Sequence, residues 1–311
     1  MSKLISIVIP AFNEEEGIDE LGRRLRATMD GLPDHAFEVI IVENGSIDST
    51  LERLLALCQE DPRFKVVQLS RNFGYEGAIT AGLMYARGDA AVMMCADLQD
   101  PPEMIPQFVE MWEAGFDVVY AIIKRREGVS LWRKFLYKNA YRVIYLLAGR
   151  TIPQNVTEFR LMDRKVYSIL NKMPERNRFI RGIVAWTGFK QTGIPFERPA
   201  RFAGESKADI ATAITTATNG IFSFSYLPLK LAIAMGILVS LASFAGIFVE
   251  IILFLVYGQV VPGYYSTLII VLFLFGILFL LLGIMGIYIE RIYDEVKQRP
   301  MYLVEREYGF D

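Results

Sequence analysis

The sequence predicts an α/β domain with a mainly parallel, doubly wound sheet, followed by two transmembrane helices. Short apolar strand patterns alternate with helical patterns in the first part of the chain. Polar clusters follow the strands, and two long apolar runs lie near the C-terminus. Strands that alternate with helices are typical of a parallel sheet with helices on both faces. The two apolar runs are longer than the core of a globular domain requires.

The order of the elements follows from the apolar periodicity. We expect strands over residues 4–9, 37–42, 64–69, 90–95 and 117–122. Helices are expected through Leu21, Leu25 and Met29, from near Leu51, and over residues 76–86. Ser46 or Asp48 is expected to cap the second of these helices.

Composition narrows the class of protein. A formal net charge of −2 and the lack of a long basic run argue against nucleic acid as a partner. The two cysteines, Cys58 and Cys95, have neither the number nor the spacing of a disulfide framework or a structural zinc site, which fits a reducing, cytosolic location. The N-terminal apolar run is too short for a signal peptide, and we interpret it as the first strand.

The two apolar runs predict a membrane anchor. Residues 231–257 contain one charge, Glu250, and residues 267–289 contain none. As helices they would be roughly 40 Å and 34 Å long, enough to cross a bilayer. Basic residues flank their outer ends but not the connection between them, so both termini are expected in the cytoplasm at the inner (plasma) membrane. Two interpretations of Glu250 stay open: it marks an oligomer contact or a path for a lipid head group, or its carboxylate reaches the membrane surface.

The chain is accordingly divided into four parts. We expect a domain over residues 1–207, a juxtamembrane segment over 208–230, the two transmembrane helices over 231–289 and a cytosolic tail over 290–311. Within the second part, an interfacial helix and an ordinary surface helix both stay open.

The polar clusters predict the site. Ligands of parallel sheets bind beyond the carboxyl ends of the strands, where these clusters lie. The sequence contains no G-x-G-x-x-G and no G-K-[ST] loop, so glycine amides do not provide a cradle for phosphates. A divalent cation held by Asp97 would neutralise a diphosphate instead, as Mg²⁺ and Mn²⁺ prefer hard oxygen ligands.

Five motifs, in order along the chain, identify a family. They are Pro10-Ala11-Phe12-Asn13-Glu14-Glu15, Asn44-Gly45-Ser46-x-Asp48, Leu69-Ser70-Arg71-Asn72-Phe73-Gly74, Asp97-Leu98-Gln99-Asp100-Pro101-Pro102 and Phe159-Arg160-Leu161-Met162-Asp163. The chain resembles the family 2 glycosyltransferases of GT-A (Rossmann-like) fold that load a sugar onto a polyprenyl phosphate, the group of dolichyl-phosphate mannose synthase and bactoprenol glucosyltransferase. The resemblance implies an inverting transfer from a nucleotide-diphosphate sugar, usually UDP-linked, to undecaprenyl phosphate, with Mg²⁺ or Mn²⁺ and a homo-oligomeric assembly.

The same resemblance implies roles for individual residues. Those that border the nucleotide are Pro10, Asn13, Glu14, Asn44, Asp48 and Arg71. Asp97 and Gln99 are the implied metal ligands, and Glu158 and Asp97 the implied catalytic residues. The acceptor phosphate is expected to meet Arg125, Arg126, Arg201 and Lys207.

Three carboxylates of the family pattern are changed here. Asn44 and Cys95 stand where relatives have Asp, and Glu158 replaces a shorter Asp. A thiol is a poor ligand for a hard cation, so metal affinity is expected to be weaker. Two hypotheses stay open, an active polyprenyl-phosphate glycosyltransferase with altered donor specificity, and a catalytically impaired paralogue that binds sugar nucleotide or lipid phosphate and regulates a partner.

Several further residues have two interpretations each. Asn72-Phe73-Gly74 and Glu76 are expected to shape the loop around the nucleotide, although a tight turn explains Gly74 equally well. The basic stretch Arg176, Arg178 and Arg181 either contacts anionic lipid phosphates or forms a solvated face.

Overall fold

A computed structural model of the chain describes residues 2–124, 156–199, 227–257 and 263–310. The strands are β1 (Lys3–Ala11), β2 (His35–Glu43), β3 (Phe64–Leu69), β4 (Ala90–Met93), β5 (Val118–Ile123), β6 (Val156–Asp163), β7 (Gln191–Phe196) and β8 (Val304–Tyr308). The helices are α1 (Ile18–Asp30), α2 (Thr50–Glu60), α3 (Gly74–Tyr85), α4 (Ile105–Glu113), α5 (Arg164–Lys172), α6 (Ile180–Trp186), α7 (Leu227–Tyr257) and α8 (Tyr264–Lys297).

The eight strands form one mixed sheet. Their order is β7-β5-β6-β4-β1-β2-β3-β8. The pairs β1–β2, β1–β4, β2–β3 and β5–β7 are parallel. The pairs β3–β8, β4–β6 and β5–β6 are antiparallel. The predicted class, an α/β domain with a mainly parallel sheet, is confirmed.

Alternation along the strands places the core on both faces of the sheet. In β1, Ile5, Ile7 and Ile9 are fully buried beneath α1, α2 and α4. Val8 points to the opposite face, where it packs against α3. Successive side chains of a strand point to opposite faces, so a strand covered on both sides is apolar throughout. The two layers of helices leave the ends of the strands uncovered.

Two element boundaries differ from the sequence expectation. Strand β4 ends at Met93 rather than Cys95, because the backbone N–H of Cys95 donates to the Asp100 carboxylate, 3.0 Å away, and so leaves the sheet. Helix α2 has Ser49 as its N-cap residue, so the prediction of Ser46 or Asp48 at that position was wrong. The Asp48 carboxylate still accepts a hydrogen bond from the first helical residue, Thr50, at 3.1 Å.

Helices α7 and α8 each contain a stretch long and apolar enough to cross a membrane, over Leu227–Leu253 and Phe273–Lys297. Almost none of either stretch is buried inside the protein. Residues 227–230, which we expected in the juxtamembrane segment, form the first turn of α7. The remainder of that segment, residues 208–226, lies outside the described residues.

The C-terminal residues differ most from the expected division. Helix α8 continues to Lys297, and Gln298 ends it with a left-handed backbone at φ +51°. The following chain returns to the sheet, where β8 pairs with the edge of β3 and Tyr85 donates a 2.5 Å hydrogen bond to Glu307. An open sheet edge has unpaired N–H and C=O groups, which β8 satisfies. The tail therefore belongs to the α/β domain and is not separate from it.

Candidate functional site

The strand order brings the polar clusters to one edge of the sheet. Strands β1 to β4 are mutually parallel, so their carboxyl ends meet there. Strand β6 is antiparallel to β4 and pairs Arg160 with Met93. The amino end of β6, with Glu158, therefore lies beside the carboxyl end of β4. Residues more than sixty positions apart are thus brought to a common site.

The loops after β1 and β2 are joined by hydrogen bonds. The backbone N–H of Asn13 donates to Ser46 Oγ at 3.0 Å, and the N–H of Ile47 donates to Asn13 Oδ1 at 2.9 Å. Asn13 has a left-handed backbone at φ +51°, which Asn tolerates better than most residues. Pro10 lies at the end of β1, in register with Val42. The predicted nucleotide loop is therefore preformed.

Asp48 links the same two loops from the other side. Its carboxylate accepts hydrogen bonds from the backbone N–H groups of Thr50 and Glu15, at 3.1 and 3.4 Å. Burial opposes ionisation, but these hydrogen bonds and that of the Thr50 hydroxyl outweigh it and lower the pKa of Asp48. The backbone N–H of Glu14 donates to the Thr50 hydroxyl at 2.9 Å. Asp48 is thus held as an anion.

Asn44 connects the loop after β2 to the loop after β3. Its amide Nδ2 donates to Asn72 Oδ1 and to the carbonyl oxygen of Gly74, at 3.2 and 3.1 Å. Its Oδ1 accepts from the backbone N–H of Phe73 at 2.9 Å. Both amide hydrogens are used within the protein, so toward a ligand this buried side chain offers only acceptor capacity.

Gly45 allows these loops to approach closely. It has φ +71°, and a Cβ atom added there would lie 2.6 Å from the carbonyl carbon of Arg71. Only glycine adopts this backbone without strain and leaves room for its neighbour. The Arg71 guanidinium lies 4.2 Å from the centre of the Phe73 ring and donates to the Asn72 carbonyl oxygen. Arg71 is exposed beside this junction, where an anionic ligand could reach it.

Asp97 and Gln99 lie in the turn after β4. The Asp97 carboxylate accepts from the backbone N–H of Gln99 at 3.1 Å, across a left-handed Leu98 at φ +58°. The side-chain amide of Gln99 donates to the Pro199 carbonyl oxygen at 3.4 Å, which leaves its Oε1 as an acceptor. Within the described parts of the chain, no group of three or more His, Cys, Asp or Glu side chains could hold a metal ion. One carboxylate and one amide oxygen suffice for Mg²⁺ only if substrate phosphates complete its coordination.

Cys95 and Asp100 form the buried floor of this turn. Burial, and then the charges of Asp100 and Asp97, raise the pKa of the Cys95 thiol well above its usual range. Burial also raises the pKa of Asp100 to about 6, against the opposing charge of Arg198 at 4.0 Å. A neutral thiol is not the carboxylate that the family pattern has at this position, and weaker metal binding stays a prediction.

Glu158 is the centre of a buried ion-pair cluster. It accepts from Arg181 Nε at 2.6 Å and lies 3.4 Å from the Arg160 guanidinium. Arg160 is only 2% exposed and also donates to the Thr157 carbonyl oxygen. Burial alone would raise the pKa of Glu158, but the charges of Arg181 and Arg160 outweigh burial and lower it. Glu158 is therefore ionised at neutral pH.

A cleft of about 520 Å³ opens between these groups. Its walls come from the start of α3, the end of β4, the start of β6, the loop before α6 and the C-terminal segment. The polar lining residues are Tyr75, Glu76, Cys95, Glu158, Arg176, Asn177, Arg178 and Arg181. Met301, just before β8, contributes an apolar part of the wall.

The far end of the cleft lies against the end of α8. The backbone N–H of Arg176 donates to Glu295 at 2.7 Å, and its guanidinium donates to the Gln298 carbonyl oxygen at 3.2 Å. Asn177 donates to Asp294 at 3.4 Å. Arg176 and Asn177, which line the cleft, therefore connect it to the last turn of α8.

Some predicted residues cannot be placed, and some lining residues were missed. Arg125, Arg126, Arg201 and Lys207 lie outside the described residues. Tyr75 was not predicted as a site residue, and Glu76 was expected only to shape the loop around the nucleotide, although a carboxylate in an otherwise apolar helix start is a recognisable signal. For Arg176 and Arg181 the structure favours a place in the cleft over a solvated face.

The comparisons with known proteins agree on one family. The profile of glycosyl transferase family 2 matches residues 6–170. An uncharacterized glycosyltransferase of Synechocystis sp. is 43% identical over 307 residues, which cover 99% of this chain and 96% of that protein. The prophage bactoprenol glucosyl transferase homolog of Escherichia coli is 37% identical over 302 residues, 97% of this chain and 98% of that protein.

A solved structure resembles the same domain. Glucosyl-3-phosphoglycerate synthase from Mycobacterium tuberculosis, in complex with Mn²⁺, uridine-diphosphate and phosphoglyceric acid, has a TM-score of 0.49 at 19% identity and covers 69% of this chain and 78% of its own. The family profile spans more than half of the chain, and the relatives are matched over nearly their whole length. The chain therefore belongs to glycosyl transferase family 2.

Proposed function

We propose that the protein transfers a sugar from a nucleotide-diphosphate sugar, UDP-linked, to a polyprenyl phosphate such as undecaprenyl phosphate, with inversion, at the cytosolic face of the membrane. The observation that supports this most is the cleft lined by Glu158 and Arg176, since Arg176 is hydrogen-bonded to the end of α8. A lipid acceptor cannot leave the bilayer, so its phosphate must meet the donor beside a membrane helix. The relatives named bactoprenol glucosyl transferase support the same acceptor class.

The nucleotide is assigned to the preformed loops. The base and ribose would lie among Pro10, Asn13, Glu14, Asn44 and Asp48, with Arg71 near the phosphates. Asp97 and Gln99 would hold a divalent cation, whose chemistry is to neutralise charge on the diphosphate leaving group. The Mn²⁺ bound to the mycobacterial structural relative belongs to that protein and motivates the choice of metal in the assay.

The acceptor phosphate is the proposed nucleophile. One of its oxygens attacks the anomeric carbon while the bond from that carbon to the diphosphate breaks, and the electron pair leaves with the nucleotide. A phosphomonoester has its second pKa near 6, so most of the acceptor is dianionic at pH 7. The ionised Glu158 would accept the proton of the remaining monoanion.

Membrane placement follows from the same proposal. Helices α7 and α8 would cross the bilayer, with residues 1–207, β8 and both termini on the cytosolic side. Arg125, Arg126, Arg201 and Lys207 are proposed to meet the acceptor phosphate. A homo-oligomer also stays a prediction.

Transfer by the full chain tests the proposal. The protein in detergent micelles is incubated with undecaprenyl phosphate, Mg²⁺ or Mn²⁺ and a panel of UDP-sugars, and lipid-linked sugar is detected by mass spectrometry. We expect one donor to give product. No lipid-linked sugar with any donor would contradict the proposal.

A second candidate is a catalytically impaired regulator. The observation that favours it is the buried, neutral thiol of Cys95 at an expected metal-ligand position. The variant Cys95→Asp separates the two. If the wild type has almost no turnover and Cys95→Asp has high turnover, the impaired paralogue is supported. If the wild type turns over substrate and Cys95→Asp differs from it by less than about tenfold, the active enzyme is supported.

A further inference from the structure

The first turn of α3 has two buried polar groups that the protein leaves unpaired. Among the described residues, neither the Tyr75 hydroxyl nor Glu76 Oε2 has a hydrogen-bond partner. Both residues line the cleft. An unpaired buried polar group destabilises the folded protein, so two adjacent ones in a cleft indicate a ligand that completes their hydrogen bonds.

Glu76 is a hydrogen-bond donor at neutral pH. Burial and the nearby charge of Glu158 raise the pKa of Glu76 to about 8, while a hydrogen bond from the Ile180 backbone and the charges of Arg181 and Arg160 oppose the shift. Arg178 also faces this carboxyl. The protonated carboxyl group has an O–H to donate, and the Tyr75 hydroxyl can donate or accept.

The surroundings favour an uncharged ligand at this wall. Arg160 and Arg181 are ion-paired with Glu158, and Arg178 donates to backbone carbonyl oxygens at Leu170 and Glu175. Among the described residues that line the cleft, Arg176 is not paired with Glu158 and lies at the other end, against α8. A phosphate therefore fits the Arg176 end, while a hydroxylated, uncharged group fits the wall formed by Tyr75 and Glu76.

We propose that Tyr75 and Glu76 bind hydroxyl groups of the transferred sugar and so determine which sugar the protein accepts. This inference rests on the proposed function and assigns the sugar a place within it. The wall adjoins Cys95 at the end of β4, beside the turn that would hold the diphosphate, so a sugar attached to that diphosphate can reach it. A site built to hydrogen-bond hydroxyl groups discriminates strongly against sugars that leave its polar groups unpaired.

Binding measurements with the full chain test the inference. Calorimetry with Mn²⁺ compares UDP with UDP-glucose, UDP-galactose and UDP-N-acetylglucosamine, and the sugar that the wild type binds most tightly is used for the variants. We expect Tyr75→Phe and Glu76→Met to bind UDP as the wild type does and to bind that UDP-sugar about 5- to 30-fold more weakly. Tyr85→Phe, on the same helix but bonded to Glu307 outside the cleft, is the matched control and should change neither affinity.

A conservative variant separates recognition from structure. Glu76→Gln keeps a hydrogen-bond donor, so at pH 7 it should retain most of the affinity for the UDP-sugar. In the wild type this affinity should fall as the pH rises through about 8, because Glu76 loses its proton, and Glu76→Gln should remove that fall.

The outcomes distinguish the inference from the function on which it rests. Unchanged affinity for the UDP-sugar in Tyr75→Phe and Glu76→Met overturns the inference and leaves the proposed function standing. A wild type that binds UDP and every UDP-sugar equally also overturns it. A wild type that binds none of these nucleotides overturns both.

Discussion

The two halves of the candidate site use their polar groups in opposite ways. In the loops after β1 and β2, Asn13, Asn44 and Asp48 form hydrogen bonds with neighbouring loops. In the cleft, Tyr75 and Glu76 are buried with unpaired oxygen atoms, within the part of the chain that the structure describes. The loops are therefore held in shape before any ligand binds, whereas the cleft keeps hydrogen-bonding capacity for one.

The same contrast is present in the electrostatics. Hydrogen bonds lower the pKa of Asp48 despite its partial burial, while burial and a neighbouring carboxylate raise the pKa of Glu76. The loops stabilise the ionised form of Asp48, whereas the cleft disfavours a second carboxylate charge, on Glu76, beside that of Glu158. The loops after β1 and β2 are held by hydrogen bonds within the protein, whereas the described residues of the cleft include buried polar atoms without partners. Substitutions in the loops and in the cleft should therefore have different effects.

The largest effect is expected from Glu158→Gln, in the cleft. Turnover should fall about 10²-fold, because Arg160 and Arg181 lose the carboxylate that holds them in place. The substitution also leaves Arg160 buried without its counter-charge, which should cost about 3–5 kcal/mol of unfolding free energy. Transfer assays and thermal melting of the purified protein measure both.

Glu158→Asp is the control for this prediction. It keeps the charge for Arg160 and Arg181 and should regain most of the stability, even where the shorter side chain does not restore turnover. Turnover of Glu158→Gln within threefold of the wild type would remove Glu158 from the mechanism.

A pH series tests the electrostatic contrast. The pKa of Glu76 is raised in the folded state from 4.5 to about 8, so the folded protein holds a proton that the unfolded chain releases. The stability that this proton contributes, measured relative to Glu76→Gln, is therefore fully present below about pH 4.5 and is lost as the pH rises through 8. Melting temperatures at pH 5 and pH 9 should show the wild type losing several degrees relative to this variant.

The stability of the wild type relative to Asp48→Asn should change with pH in the opposite direction. The pKa of Asp48 lies below its ordinary 3.8 in the folded state, so its contribution is complete above pH 3.8 and is lost as the pH falls further. Identical pH dependence of the two variants would contradict the division between loops and cleft.

Gly45→Ala tests whether the loops depend on their close approach. The left-handed backbone costs an alanine about 1–2 kcal/mol, and the added Cβ would lie 2.6 Å from the Arg71 backbone. Gly188→Ala is a matched control, because Gly188 has φ +69° but nothing within 4 Å of the added atom. Denaturation should show Gly45→Ala to be at least about 2 kcal/mol less stable than Gly188→Ala. Equal losses would show that the loops can separate without cost.

The sequence predicts most of the sheet because its strands are apolar on both faces and are separated by helical patterns. Strand β3 has the expected bounds, and β1 and β2 extend beyond theirs by one or two residues at each end. The β8 strand was missed because Val304–Tyr308 contains three consecutive charged residues and is recognisable only against the open edge of β3. Local pattern identifies buried strands better than edge strands.

The sequence predicted those site residues that directly follow strands. It did not predict the contacts between residues that lie far apart in the sequence. Asp97 and Asn13 follow strands directly, so the parallel sheet places them. The partnership of Glu158 with Arg181 depends on the antiparallel insertion of β6 and on the position of α6, which no local pattern specifies. Among the described residues, the Tyr75 hydroxyl and Glu76 Oε2 have no hydrogen-bond partner, which is a property of the folded chain and not of the local sequence.

The smallest effect is expected from Asn44→Ala, in the loops. This truncation removes three hydrogen bonds that join the loops after β2 and β3 and leaves the Phe73 N–H unpaired, so it should cost about 1–3 kcal/mol. Gln191→Ala is the control, because its amide donates one hydrogen bond, to the Val184 carbonyl oxygen at 3.2 Å, and its loss should cost about 0.5–1 kcal/mol. Denaturation of both variants measures the difference. If the two lose the same stability, Asn44 does not hold the loops together, and its buried amide would instead be available to the nucleotide.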